Sequence, residues 1–250
     1  MIAINKITVT LNRSKLNLKK GESGVLVATV LPASLANRNV SWHSDNTNIA
    51  TVNNGRVLGI HPGVTRVYAV SAFDRTVGAV CYVVVYDDTT YLADVYGNEV
   101  ITFSYKEHGN LPLSKNFKVR EFRCKDGTDE ILIDMALVRY LQQIRDWAGA
   151  SITINSGYRT PSHNEEVGGS DTSKHMQGKA ADIYCSTKTP LELAQRAETL
   201  GMPGIEWNPI GNYTHIDTRT GDAWWRQYAK DKNGKAYFVK MQSFYDVEEG

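Results

Sequence analysis

His175 and Asp182 stand seven residues apart in SKHMQGKAADIY, residues 173–184, with Gly178 and two alanines between them. Imidazole and carboxylate are common ligands of a catalytic zinc ion, which takes three protein donors and keeps a fourth position for water. The glycine lets the chain turn sharply enough for both side chains to face one ion. A polar turn leading into a buried strand has the same look, and spacing alone leaves both readings open. A metal site needs a third donor. Of the six histidines, His43 and His61 fall in a β-rich N-terminal half and His108 in a connecting stretch, while His163 reads as a surface helix residue. His215 is the natural choice, because NYTHIDTR reads as a strand with Tyr213, His215 and Asp217 on one face. Two neighbouring strands would bring Asp182 and His215 together, with His175 reaching over from the loop. Cys185, three residues past Asp182, points to the opposite face and is no fourth ligand.

The elements that must hold these residues begin near residue 116, where helix and strand patterns mix. Asp134 is an N-cap for MALVRYLQQIRDWAGA, whose Leu137, Leu141, Ile144 and Ala148 share one face. SITINSGYR reads as a strand ending in a turn, and Thr160-Pro161 opens a short helix that stops at Gly168-Gly169. AADIYC is a buried strand. Thr189-Pro190-Leu191-Glu192 is a capping box whose helix closes at Gly201. No regular βαβ repeat appears, which predicts an α+β domain with helices on an antiparallel sheet.

Residues 1–86 follow a different grammar. They hold only short strands, with turn residues every 8–12 positions and a hairpin signal at Asn-Gly in IATVNNGRVLGI, which predicts an all-β sandwich. Residues 87–115 read as a connector without a core, with room for one hairpin around YGNE. The tail, 231–250, offers one alternating stretch that could add a strand to that connector. The mixed helix-and-strand domain is accordingly set at 116–230.

The 250 residues carry 28 basic and 27 acidic side chains, a net charge of +1 that gives no electrostatic case for nucleic acid. No run of about 18 apolar residues marks a membrane span. The N-terminus lacks the basic and apolar segments of a signal peptide. The three cysteines form no C-x-x-C pair and read as buried free thiols.

Two resemblances sharpen these readings. LNLKKGES, VSWHSDNTNIATVNNGRVLGIHPGVTRVYA and the closing VVVY resemble a bacterial Ig-like domain of group 2. That implies a spacer or surface-binding module, with a cell-surface polymer or a phage component as partner, and no catalysis. SGYRT at 156–160, SKHMQGKAAD at 173–182 and HID at 215–217 occur in the order found in the zinc D-Ala-D-Ala carboxypeptidase and endolysin peptidase family, which has a hedgehog-like zinc fold. This resemblance covers about 118–229. It implies Zn2+ on His175, Asp182 and His215, and hydrolysis of peptide bonds in bacterial peptidoglycan by a cell-wall carboxypeptidase or endopeptidase or a phage-type endolysin. Action would then be at the cell wall. Without a signal peptide, the enzyme would be released through a holin, carried by a virion or exported non-classically.

Such chemistry needs a carboxylate to move a proton and a donor to steady the oxyanion or grip a substrate carboxylate. Arg159 suits the second role, with a structural salt bridge as its other reading. For the base, many members of the family carry Glu or Asp three residues before the last histidine, where this chain has Asn212. Asp217 and Glu206 remain. Asp217 ranks slightly first, although it could instead orient a ligand histidine. Glu206 stands where relatives often have glycine. Ser156, Tyr158, Ser173 and Gln177 are candidates for lining the cleft. Trp207, Trp224 and Trp225 read as packing residues first and substrate contacts second. The missing acid at 212 leaves a second reading: a non-catalytic zinc-binding surface or phage-tail adhesion protein.

Overall fold

A computed structural model describes residues 6–247. The chain divides into two compact units, one through Val95 and one from Tyr96 onward. The first contains β1 (Thr8–Leu11), β2 (Lys15–Lys19), β3 (Ser23–Val25), β4 (Ala28–Leu31), β5 (Val40–Ser44), β6 (Ala50–Asn53), β7 (Arg56–Gly59), β8 (Gly63–Ser71), β9 (Gly78–Tyr86) and a short helix, α1 (Leu92–Val95). Two sheets, ordered β2-β9-β8-β5 and β3-β7-β6, share a core that includes Leu16, Leu18, Val57, Val67 and Val83, with Trp42 packed against it. Asn54 and Gly55 both take positive φ in the two-residue loop between β6 and β7, as an Asn-Gly hairpin turn requires.

The second unit runs β10 (Val100–Ser104), α2 (Tyr105–His108), β11 (Glu130–Asp134), α3 (Met135–Ala148), β12 (Ile152–Ser156), α4 (Pro161–Glu166), β13 (Ala180–Cys185), α5 (Pro190–Thr199), β14 (Gly204–Asn208), β15 (Tyr213–Asp217), β16 (Trp224–Lys230) and β17 (Ala236–Lys240). The local signals for its helices hold. Asp134 accepts from the Ala136 amide, Thr160 from His163, and Thr189 and Glu192 cap α5 reciprocally.

Three expectations are corrected. No hairpin forms around YGNE, because Leu92–Val95 are helical and the chain then enters β10, which pairs with β11. Residues 96–115 are more than a connector: Ile101, Phe103 and Leu113 are buried. The tail adds its strand to the main sheet, where β17 pairs with β16, rather than to the connector.

That main sheet has six strands in the order β12-β13-β15-β14-β16-β17. It is antiparallel except for the parallel pair β14 and β16. Ala181, Ile183, Ile205 and Ile216 are fully buried on the side where α3 and α5 pack. The Thr214 hydroxyl on that side donates to the Pro190 carbonyl at 2.6 Å, fixing β15 to the start of α5. Side chains alternate along a strand, so their neighbours in sequence must emerge on the other side. The register carries the consequence across the sheet. Ser156, Asp182, His215, Glu206, Arg226 and Lys240 are successive cross-strand partners, one per strand, in a single row.

Candidate metal centre

The row places Asp182 and His215 side by side on neighbouring strands, and a turn adds the third donor. His175 lies in a 3-10 turn, Lys174–Gln177, that closes at Gly178 with φ +68°. A side chain at Gly178 would put its first carbon 2.4 Å from the Leu132 carbonyl oxygen, so glycine serves both the left-handed turn and the close seat against β11. The His175 ring Nδ1 meets the Gly157 carbonyl at 2.7 Å, which leaves Nε2 for the site. His175 Nε2, Asp182 Oδ1 and His215 Nδ1 then form a triangle with sides of 3.3, 2.9 and 3.2 Å.

Tetrahedral zinc with bonds of about 2.0–2.1 Å holds its donor atoms about 3.3 Å apart. The triangle therefore fits such an ion, and two nitrogens with one carboxylate oxygen are donors of the right chemistry. Among the described residues no fourth His, Cys, Asp or Glu joins the group, so one side stays open. It faces a cleft of about 1100 Å³ whose lining includes Arg159, Ser173, Glu206, Tyr213, Trp224 and Arg226. All three cysteines are free and buried.

Asp182, Asp217 and Glu206 are each paired with an arginine of their own. Asp182 Oδ2 accepts from Arg159 Nη2 at 2.7 Å, while Arg159 Nε donates to Ser156 Oγ at 2.8 Å. Arg219 holds Asp217 through its backbone and side chain, and Arg226 holds Glu206. Burial opposes the charge on Asp182, but His175 and then His215 hold its carboxyl well below the usual range. Burial also works against Asp217, which Arg219 and then His215 keep low. His215 is likewise disfavoured as a cation by burial, yet Asp182 and then Asp217 push it up to about 9 in the metal-free protein.

The sequence ranks Asp217 first as base, but its position does not suit that work. It meets His215 through Nε2 at 3.2 Å, the ring nitrogen away from the donor triangle, and is 0% exposed. Gly204, its cross-strand partner, makes room for it: an added carbon there would fall 2.2 Å from the Asp217 carboxyl. Asp217 thus fixes the ring orientation of His215. Replacing it by asparagine is expected to weaken zinc binding by about 10–100-fold, read by competition with a chromogenic chelator. An unchanged affinity would show that the ring needs no such support.

Of the four candidate lining residues, only Ser173 lines the cleft. Ser156 is occupied by Arg159. Tyr158 is 7% exposed, drawn inward where its amide bonds the Phe122 carbonyl. Gln177 accepts from Lys174 on the outer side of the turn. Trp224 faces the cleft, whereas Trp225 packs inward with its indole N–H on the Met202 carbonyl. Arg219 and Arg226 are absent from the sequence-derived set. The alternation of Trp224, Arg226 and Tyr228 along one strand is the signal that could have flagged Arg226.

A sheet with helices on one face and three convergent donors under an open cleft on the other defines a metal-binding α+β domain. Residues 114–217 match the family model described as Peptidase M15, and residues 4–79 match the model described as bacterial Ig-like domain (group 2). It is 34% identical over 88 residues to the zinc D-Ala-D-Ala carboxypeptidase of Streptomyces albus G, covering 34% of this chain and 34% of that protein. It is 30% identical over 80 residues to the probable peptidoglycan L,D-endopeptidase MepK of Haemophilus influenzae, covering 30% of this chain and 43% of that protein. A third similarity, 42% over 57 residues, is to the kappa-carrageenase of Pseudoalteromonas carrageenovora and covers 23% of this chain and 14% of that protein. The chain thus spans less than half the length of each of these relatives.

Proposed function

We propose that this chain is a zinc-dependent peptidase that hydrolyses peptide bonds in bacterial peptidoglycan, acting at the cell wall. The observation that carries it is the donor triangle under an open cleft, together with relatives whose names specify a zinc D-Ala-D-Ala carboxypeptidase and a peptidoglycan L,D-endopeptidase. Zinc, when bound, supplies an activated water and polarises the scissile carbonyl. His175, Asp182 and His215 hold it. Arg159 lines the cleft, bridged to Asp182, and offers its remaining guanidinium edge to the substrate carbonyl or carboxylate. Glu206 takes the proton from the attacking water and passes it to the leaving amine. It is the carboxylate of the cleft next in the row after His215, on the strand side away from Asp182.

The Ig-like unit is assigned the task of holding the peptidase at its polymer, in the manner of an endolysin's targeting module. The test is digestion of purified muropeptides of several cross-link types, with products identified by mass. Cleavage is expected with zinc, is expected to stop with chelator, and is expected to return when zinc is restored. A protein that binds one zinc and cleaves no peptidoglycan type would instead be the non-catalytic surface protein.

A further inference from the structure

Arg226 stands on β16, beyond residue 217, where the peptidase family match ends. Its guanidinium Nε and Nη2 both bond Glu206 Oε2, at 2.8 and 2.6 Å. The other carboxylate oxygen, Oε1, has only the Asn208 amide at 3.5 Å, a marginal contact. Arg226 is itself clamped. Its guanidinium carbon lies 3.8 Å from the ring centre of Trp224 and 3.4 Å from that of Phe238, which arrives on β17. Two aromatic rings thus hold a cation in place, and the cation holds one oxygen of a carboxylate that is 5% exposed.

We propose that Arg226 is a positioning residue for the peptidase reaction: gripped by Trp224 and Phe238, it ties down Glu206 Oε2 and leaves Oε1 free to receive the proton. The β16–β17 hairpin is then a working part of the site rather than an appendage of the sheet. Two N–H groups of a rigid planar guanidinium converging on one oxygen fix its place as well as its charge, a geometry that the single, freely rotating ammonium of a lysine does not reproduce. This inference rests on the reading of Glu206 as the base.

The test uses the full chain loaded with zinc, as wild type and as Arg226→Gln, Arg226→Lys, Phe238→Ala and Glu206→Gln. For Arg226→Gln, kcat is expected to fall about 10–100-fold, the size of loss that small misplacement of a catalytic group produces, with KM within about threefold of wild type. One zinc per chain should remain. Arg226→Lys should recover part of the loss, and Phe238→Ala should show a smaller loss of the same kind. Crystal structures of wild type and Arg226→Gln give a readout that needs no turnover, and the Glu206 carboxylate is expected to leave its place in the variant. If Arg226→Gln does not fold, the Lys and Phe238 variants carry the same comparison. Wild-type kcat in Arg226→Gln alongside a dead Glu206→Gln would overturn the positioning role and spare the peptidase reading. A raised KM with unchanged kcat would also overturn it, by making Arg226 a substrate contact. If the wild type cleaves nothing, the peptidase reading fails, and a Glu206 carboxylate unmoved between the two crystal structures overturns the positioning claim separately.

Discussion

Glu206→Gln is expected to lower kcat for muropeptide hydrolysis by about 10²- to 10⁴-fold, the usual worth of a positioned general base. The substitution keeps the shape and one acceptor oxygen for Arg226, and removes the negative charge together with the ability to take a proton. Glu206 is outside the donor triangle, so zinc content should stay at one per chain. Asp217→Asn is the control that ranks the two carboxylates. Both oxygens of Asp217 are engaged, by Arg219 and by the far nitrogen of His215, and its effect should pass through metal affinity. At saturating zinc, most of the activity of Asp217→Asn should return, while Glu206→Gln stays slow. Should the zinc-saturated Asp217 variant prove the slower of the two, the roles assigned to them would be exchanged.

The donor set was legible because its signals are local or motif-bound. Gly178 announces the turn that aims His175, and the alternation in AADIY and YTHID states which residues share a face. Alternation names a face but not which ring nitrogen meets which partner. That is why Asp217, on the same strand face as His215, could be read as a base when it sits behind the ring. Three of the four lining candidates, all but Ser173, lie outside the cleft lining, two of them for a similar reason. Ser156 ends β12 and Gln177 ends the 3-10 turn, both close to the site in sequence, but a neighbouring Arg159 and Lys174 claim them. Alternation could place Arg226 on the face of Trp224 and Tyr228, but its meeting with Glu206 depends on the parallel pairing of β14 with β16, which no local pattern encodes. The same holds for β10, whose partner β11 lies beyond an intervening stretch that folds back on itself through Phe117, Val119 and Phe122. Alternation in VITFS was visible, but its partner strand was not.

His175→Ala is expected to abolish zinc binding at micromolar metal and to reduce cleavage to below about a thousandth of wild type. The size follows from what the ion contributes. Its stabilisation of the reacting oxygens amounts to several kcal/mol, and about 4 kcal/mol corresponds to a thousandfold in rate. Two donors, Asp182 and His215, would remain, short of the three protein ligands a catalytic zinc takes. His175 is 3% exposed and its ring also bonds the Gly157 carbonyl, so the variant loses a packed group as well as a ligand. Thermal melting in excess chelator separates the two losses. With no metal in either protein, any difference in Tm reports the lost packing and polar contacts of the ring, whereas the rise in Tm on adding zinc should appear only in the wild type. A variant that keeps its cleavage while binding no zinc would remove the metal from the reaction and, with it, the catalytic role of the His175, Asp182 and His215 triangle.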